Sequence, residues 1–321
     1  MKAAQYNKYG GPEVIEINQN TQKPSPTKGQ VLVEVYAASL NPFDYKLRLG
    51  YMKEMIPLRF PFTIGGDFSG VVTELGPSAD AASDAADGNF KVGDEVYGQA
   101  LVLNGGSGAL AELAAANAAN TAHKPKSVNH IEAASLPLVG ASAIQALEDH
   151  IKLKSGDKIL IHGGSGGIGH IAIQLAKYLG AYVATTASSK DMEFVQSLGA
   201  DEVIDYKTQK FEEKIHDFDA VFDTVGGETT DRSFKVLKKN GIIVSMLGAP
   251  NAELAKQYGA TAIGQMTRVN SKTLARLTEL VDKGVIKAQI DKVFPLEKAR
   301  EAFEYLENAH SRGKVVVKIK D

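Results

Sequence analysis

The segment Ile159–Ile173 reads ILIHGGSGGIGHIAI and holds Gly164, Ser165, Gly166, Gly167, Ile168 and Gly169 in the spacing G-x-G-x-x-G. The bare pattern is weak, but an apolar run (Lys158–His162) precedes it, a helical run (Ile168–Leu179) follows, and a second apolar run (Ala181–Thr186) comes next. In a strand–turn–helix–strand unit the glycines have three tasks: a sharp turn, close approach of the backbone to a pyrophosphate, and tight packing of helix on strand. The diphosphate then meets unsatisfied N–H groups and the positive end of the helix dipole. No Gly-Lys-Ser/Thr follows, so the turn is not a P-loop. At the end of the second strand, a site for NAD sets an acid against the ribose 2′-hydroxyl. Val183–Lys190, VATTASSK, carries none. Ser188, Ser189 and Lys190 suit a 2′-phosphate, which points to NADP(H); the alternative is a polar, solvated strand end, and Asp191 follows at once. Tyr206 either packs beside the adenosine end or is an ordinary half-buried tyrosine.

A second group lies in Asn41–Tyr51. Asn41 can donate from its amide to a carbonyl oxygen without changing charge, or it is a turn residue before Pro42. Lys46 and Arg48 hold negative charge or sit on a solvated surface, with Asp44 pairing one of them. Tyr51 is a candidate proton donor or lid residue. Phe43 and Phe62 form an apolar wall for a flat substrate, or pack in a core. Asp223–Gly226 (DTVG), with Val225, ends a parallel strand, where such sheets bind ligands. His162 and His170 flank the glycine turn and read as packed or capping residues rather than catalysts.

The elements that must position these groups follow from the remaining pattern. The chain has 321 residues, 44% hydrophobic and 23% charged, which suits a globular protein of two domains. Its 36 Lys plus Arg against 38 Asp plus Glu give a net charge of −2, with no basic footprint for nucleic acid. No window of about 18 apolar residues predicts a membrane span, and the start, MKAAQYNKYGG, does not resemble a signal peptide. Cysteine is absent, which removes thiolate nucleophiles, disulfides and Cys-ligated zinc, and fits a cytoplasmic setting. The first ~125 residues read as short strands (Val31–Ala37, Phe68–Leu75) broken by Pro and Gly. The small, acidic Gly76–Gly88 segment between strands reads as a surface loop. From Pro125 strands alternate with helices: a helical Glu132–His150, strands at Lys158, Ala181, Glu202, Asp219 and Ile242, and a helix over Glu228–Lys239. That order predicts an α/β fold with a Rossmann-type, doubly wound parallel sheet. The tail gives helices Ser271–Lys283 and Leu296–Glu307 and a last strand, Lys314–Ile319, expected to return to the β-rich part. The expected domains are therefore 1–124 with 266–321, β-rich and discontinuous, and 125–265, dinucleotide-binding.

A short-chain dehydrogenase reading of the same glycines (Gly163, Gly167, Gly169) fails. That family starts with its glycine turn, whereas the one Tyr-x-x-x-Lys here, Tyr206 to Lys210, comes too early after it. Taken in order, KAAQYNKYGG, SLNPFDYKLRLG, GGDFSGV, VGDEVYG, ASLPLVGASAIQAL, HGGSGGIG, SLGADEVIDY, FDTVGG and GKVVVKI resemble the medium-chain dehydrogenase/reductase superfamily over nearly the whole chain. The nearest branch is that of the zinc-free, zeta-crystallin-like quinone oxidoreductases. The resemblance implies that the β-rich part is a GroES-like catalytic domain. It implies that Ser142 lies beside the nicotinamide, that Leu247 and Gly248 contact its carboxamide through backbone, and that Lys314 belongs to a terminal cofactor-side motif. Zinc alcohol dehydrogenases carry Gly-His-Glu where this chain has Gly65-Gly66-Asp67, and a cysteine near position 40, so no metal is expected. Hydride transfer without a metal needs an acceptor that is already electrophilic, a quinone or an α,β-unsaturated carbonyl. The expectation is an NADPH-dependent reductase of such small molecules, forming a homodimer through the strand-like Ala260–Gly264. The alternatives are a catalytically idle, crystallin-like NADPH-binding protein and an enoyl reductase of another pathway.

Overall fold

The structure is a computed structural model that describes residues 1–77 and 90–321; the expected loop over 76–88 lies, apart from Gly76 and Pro77, outside the described residues. In chain order the elements are β1 (Ala3–Tyr6), β2 (Glu16–Asn18), β3 (Gln30–Ser39), α1 (Pro42–Arg48), β4 (Phe62–Thr63), β5 (Asp67–Leu75), β6 (Glu95–Gln99), β7 (Leu113–Asn117), β8 (Thr121–His123), α2 (His130–Ala134), α3 (Pro137–Ile144), β9 (Lys158–Ile161), α4 (Gly169–Tyr178), β10 (Tyr182–Ala187), α5 (Met192–Ser197), β11 (Glu202–Asp205), β12 (Phe218–Asp223), α6 (Glu228–Ser233), β13 (Leu237–Ser245), α7 (Ala252–Tyr258), β14 (Thr261–Gly264), α8 (Ser271–Asp282), β15 (Ile290–Pro295), α9 (Ala299–Asn308) and β16 (Lys314–Lys318). Two compact units result: Met1–Leu138 with Val269–Lys283 and Ala288–Asp321, and Val139–Arg268 with Gly284–Lys287.

The first unit is built on a sheet in the order β15-β16-β3-β5-β6-β8, with β7 also paired to β3, and a smaller sheet β2-β1-β4. The C-terminal strand β16 lies antiparallel to β3, with Val316 opposite Ser39, so the tail does close the N-terminal sheet. Its core gathers Val33, Val35, Phe68, Leu110, Phe303 and Val315. Phe62 belongs to this core, 5.3 Å from the Tyr6 ring, and is not free to wall a substrate. Helix α1 starts at Pro42, whose fixed φ and missing N–H cost nothing at a first helical turn. Asp44 does not pair with Lys46 or Arg48: its carboxylate accepts the Asn41 backbone N–H at 2.8 Å. Arg48 turns inward as well, donating to Gly10 O at 2.9 Å, pairing with Glu307 and lying over the Phe303 ring.

The second unit is a six-stranded sheet, all parallel, in the order β11-β10-β9-β12-β13-β14. The order reverses between β9 and β12, the switch point where open α/β sheets bind ligands outside the strand ends. The expected Glu132–His150 helix is broken into α2, α3 and a wider turn over 145–151, with Pro137 beginning α3. The expected helix over Glu228–Lys239 stops at Ser233, and β13 starts at Leu237, because Leu237 already pairs with Phe218 of β12. Among the described residues no helix is long and apolar enough to cross a membrane.

Candidate functional site

The glycine turn stands at the carboxyl end of β9, and its glycines are needed for space. A Cβ on Gly169 would lie 2.2 Å from Gly163 O, and one on Gly164 would lie 2.1 Å from Thr185 Oγ1. Thr186, at the end of β10, clamps the turn: its hydroxyl accepts from Gly163 N at 3.1 Å and its carbonyl from Gly164 N at 3.0 Å. Beyond these, the amides of Gly167, Ile168 and Gly169 have no backbone acceptor among the described residues. They open the ten-residue helix α4, as a diphosphate site requires.

His162 supports the clamp from below. The Ser233 hydroxyl donates to Thr229 O at 2.6 Å, so His162 Nε2 donates to Ser233 Oγ at 2.9 Å, and Nδ1 accepts from Thr186 Oγ1 at 3.1 Å. Burial holds its pKa down at about 4, so the ring is neutral. His170 Nδ1 donates to Gly166 O at 2.9 Å. Both histidines are structural parts of the turn.

At the β10 end Ser188 is buried and donates to Asp191 at 2.8 Å, and Ser165 donates to the same carboxylate oxygen at 3.5 Å. Ser188 is thus committed to Asp191 rather than offered to a phosphate. Ser189 and Lys190 are exposed, as is much of Tyr206. At the end of β12, fully buried Asp223 accepts from Val225 N at 2.9 Å and Gly226 N at 3.0 Å, which fixes the turn. Val225, Leu247 and Met266 then stand exposed, one at the end of each of β12, β13 and β14, Met266 at 87%. Ser142 is buried, its hydroxyl 2.8 Å from Thr267 Oγ1 and its carbonyl accepting from Gln265 at 3.0 Å. Sequence reasoning missed Thr186, Gln265, Met266 and Thr267. Thr186 lay in the quoted VATT segment, and Gln265–Thr267 directly follow the last strand, but neither place carries a motif.

In the first unit the Asn41–Tyr51 group is differently occupied. Asn41 is buried, its Nδ2 donating to Asp67 Oδ2 at 2.9 Å and its Oδ1 accepting from Lys314 Nζ. The amide is bonded at both ends, and Asn41 caps α1 before Pro42; from sequence alone it reads as a donor to a carbonyl or as such a turn residue. Lys314 sits here, in the β-rich unit, its ammonium also donating to Leu40 O at 2.7 Å. Asp67 accepts further from Gln99 Nε2 at 2.8 Å and Leu138 N at 3.3 Å. Burial raises the pKa of Asp67 and lowers that of Lys314; it pushes Asp44 up to about 7. Phe43 and Lys46 are half-buried, Lys46 without an ion-pair partner among the described residues, and Tyr51 is 71% exposed. Among the described residues no three His, Cys, Asp or Glu side chains are gathered as a metal site.

Comparison with known proteins adds the following. Residues 27–126 match the family model of the alcohol dehydrogenase GroES-like domain, and residues 198–317 that of zinc-binding dehydrogenases. The chain is 34% identical to a chloroplast envelope quinone oxidoreductase homologue of Arabidopsis thaliana, over 99% of this chain and 98% of the relative. It is 36% identical to an NADPH-dependent alkenal/one oxidoreductase of the same plant, over 99% of this chain and 79% of the relative. The solved quinone oxidoreductase of Coxiella burnetii matches with a TM-score of 0.87 at 37% identity, over 100% of this chain and 99% of the other.

Proposed function

Because this chain belongs to the medium-chain dehydrogenase/reductase superfamily, in its quinone oxidoreductase branch, we propose that it reduces quinones or α,β-unsaturated carbonyls with NADPH. The observation that carries this reading is the order of groups along the carboxyl edge of the second unit's sheet. Tyr206 lies at the β11 end, Lys190 at β10, the glycine turn at β9, Val225 at β12, and Leu247 with Gly248 at β13. From β10 to β13 is three strand spacings, about 14 Å. An extended dinucleotide spans such a row with its pyrophosphate on the Gly164–Gly169 turn. Ser189, Lys190 and Tyr206 hold the 2′-phosphate end, and Ser142, Val225, Leu247 and Gly248 the nicotinamide end. The turn fits the group: Gly164 and Gly169 let it fold where a Cβ would collide with Thr185 or Gly163 O, and the amides of Gly167, Ile168 and Gly169 have no backbone acceptor among the described residues. Bound there, NADPH supplies a hydride from its nicotinamide ring.

The acceptor is a small molecule that needs no metal to become electrophilic. We read the reaction as zinc-independent on the donor set. The chain has no cysteine, Gly66 stands where zinc-holding members carry histidine, and both Asp67 carboxylate oxygens already accept hydrogen bonds. Phe43 offers an apolar face to a flat ring, Lys46 stabilises the developing oxyanion, and exposed Tyr51 can deliver a proton. Two copies meet along β14, whose outer edge has no strand partner among the described residues, and a monomer mass in sedimentation overturns that part. The cytoplasmic setting remains part of the proposal.

The test is NADPH consumption with 1,4-benzoquinone and with a simple enone, against NADH, before and after treatment with a chelator. Turnover with NADPH that survives chelation supports the reading. No turnover with either acceptor overturns it, and loss on chelation overturns zinc independence.

A further inference from the structure

The first unit buries an ammonium ion that the reading above does not use. Lys314 is 4% exposed, yet it forms no direct ion pair with Asp67 or Asp44 among the described residues. The Asn41 amide stands between the charges. Its oxygen accepts from the ammonium and its nitrogen donates to the Asp67 carboxylate, so both hydrogen bonds are charge-assisted. Turning the amide over would set its NH₂ against the ammonium and its oxygen against the carboxylate, and both contacts would repel. The two charges therefore fix one orientation of Asn41. The same ammonium ties down Leu40 O, the Asp44 carboxylate caps Asn41 N, and Gln99 holds the far oxygen of Asp67. These bonds hold the entry to α1, and α1 carries Phe43 and Lys46.

We propose that Lys314 is a positioning residue for hydride transfer: its buried ammonium locks Asn41 and the first turn of α1, and so sets where Phe43 and Lys46 meet the acceptor. This rests on the proposed reductase function.

The experiment compares the full chain with Lys314→Met and with Lys314→Met/Asp67→Asn, the second removing the opposite charge should the single variant fold poorly. NADPH affinity is read by titrating its fluorescence, turnover with 1,4-benzoquinone and a simple enone, and the Asn41 side-chain amide by ¹⁵N–¹H spectra. The expected result is a fall in kcat of about 100-fold, the cost of misplacing a reacting group by about an ångström. NADPH affinity should stay within about threefold, and the Asn41 amide resonances should move. Weakened NADPH binding with kcat retained makes Lys314 a cofactor contact and overturns the proposal, as does unchanged kcat in either variant that folds. Should the unaltered chain reduce neither acceptor, the reductase reading fails instead. The amide spectra then decide alone, and resonances unmoved in Lys314→Met overturn the lock.

Discussion

Replacing His162 with glutamine should remove a pH dependence that the intact protein hides. Glutamine can still donate to Ser233, but it cannot titrate. In the folded chain the ring stays neutral down to about pH 4, because burial opposes its charging, against an ordinary value of 6.5. The folded value is depressed, so the contribution to stability is complete above pH 6.5 and is lost as the pH falls toward 4, where the unfolded chain gains a proton that the folded one refuses. At about 1.4 kcal/mol per pKa unit, the loss between pH 7.5 and 4.5 is about 2.5 kcal/mol. Asp44 works in the opposite sense. Its folded value, about 7, lies above the ordinary 3.8, so its stabilising effect is present at low pH and lost as the pH rises from about 4 to 7. The two nearly cancel in the unaltered protein, and only the difference between it and His162→Gln isolates the histidine. Urea unfolding followed by circular dichroism across pH 4.5–7.5 measures that difference. It should shrink by about 2.5 kcal/mol toward acid. A difference that stays flat, or a His162 ring that titrates near 6.5 in the folded protein, would refute the reasoning. It would also remove His162 as the prop beneath Thr186 and the Gly163 amide.

Three further outcomes follow from single contacts. Lys190→Glu should weaken NADPH by at least about tenfold more than NADH, since only the former carries a 2′-phosphate to repel; equal effects in parallel titrations would count against the assignment. Gly169→Ala puts a Cβ 2.2 Å from Gly163 O, so NADPH affinity should drop by about 100-fold or more while the first unit's chemical shifts stay put, and near-normal affinity would mean that the turn is not the phosphate site. Arg48→Met leaves Glu307 without its buried partner, and the first unit should lose about 3 kcal/mol in denaturant unfolding with NADPH affinity unchanged.

The parts of the fold that sequence revealed are those written in local pattern. An apolar run, three glycines at fixed spacing and an amphipathic run place β9, the turn and α4, because each needs only its neighbours to be recognised. The return of the last strand to the N-terminal sheet was also legible, since an apolar strand has to pair somewhere. What stayed hidden is what depends on partners far along the chain. Asn41 reads as a free donor or a turn residue from its neighbours alone; its amide oxygen is taken by Lys314, 273 residues away, and its nitrogen by Asp67. Ser188 is a related case: a hydroxyl beside a lysine suits a phosphate, and the structure shows it donating to the carboxylate three residues on. Phe62 could have faced either way, because a two-residue strand has too short a period to show a side.

The two units pose different physical problems. In the second, the glycine turn is built from backbone and neutral groups: amides at a helix start, glycines where a Cβ would collide, and a neutral histidine and a threonine that hold the turn. In the first, three ionisable groups, Lys314, Asp67 and Asp44, are placed where burial disfavours charge on each. Apolar side chains of similar size would often give equal or greater stability there. Stability alone therefore does not account for the arrangement, whereas a requirement for one fixed orientation of Asn41 does. A neutral partner at position 314 could hydrogen-bond the Asn41 oxygen, but it would remove one of the two charges that repel the flipped amide. The ammonium and the Asp67 carboxylate together make the geometry single-valued.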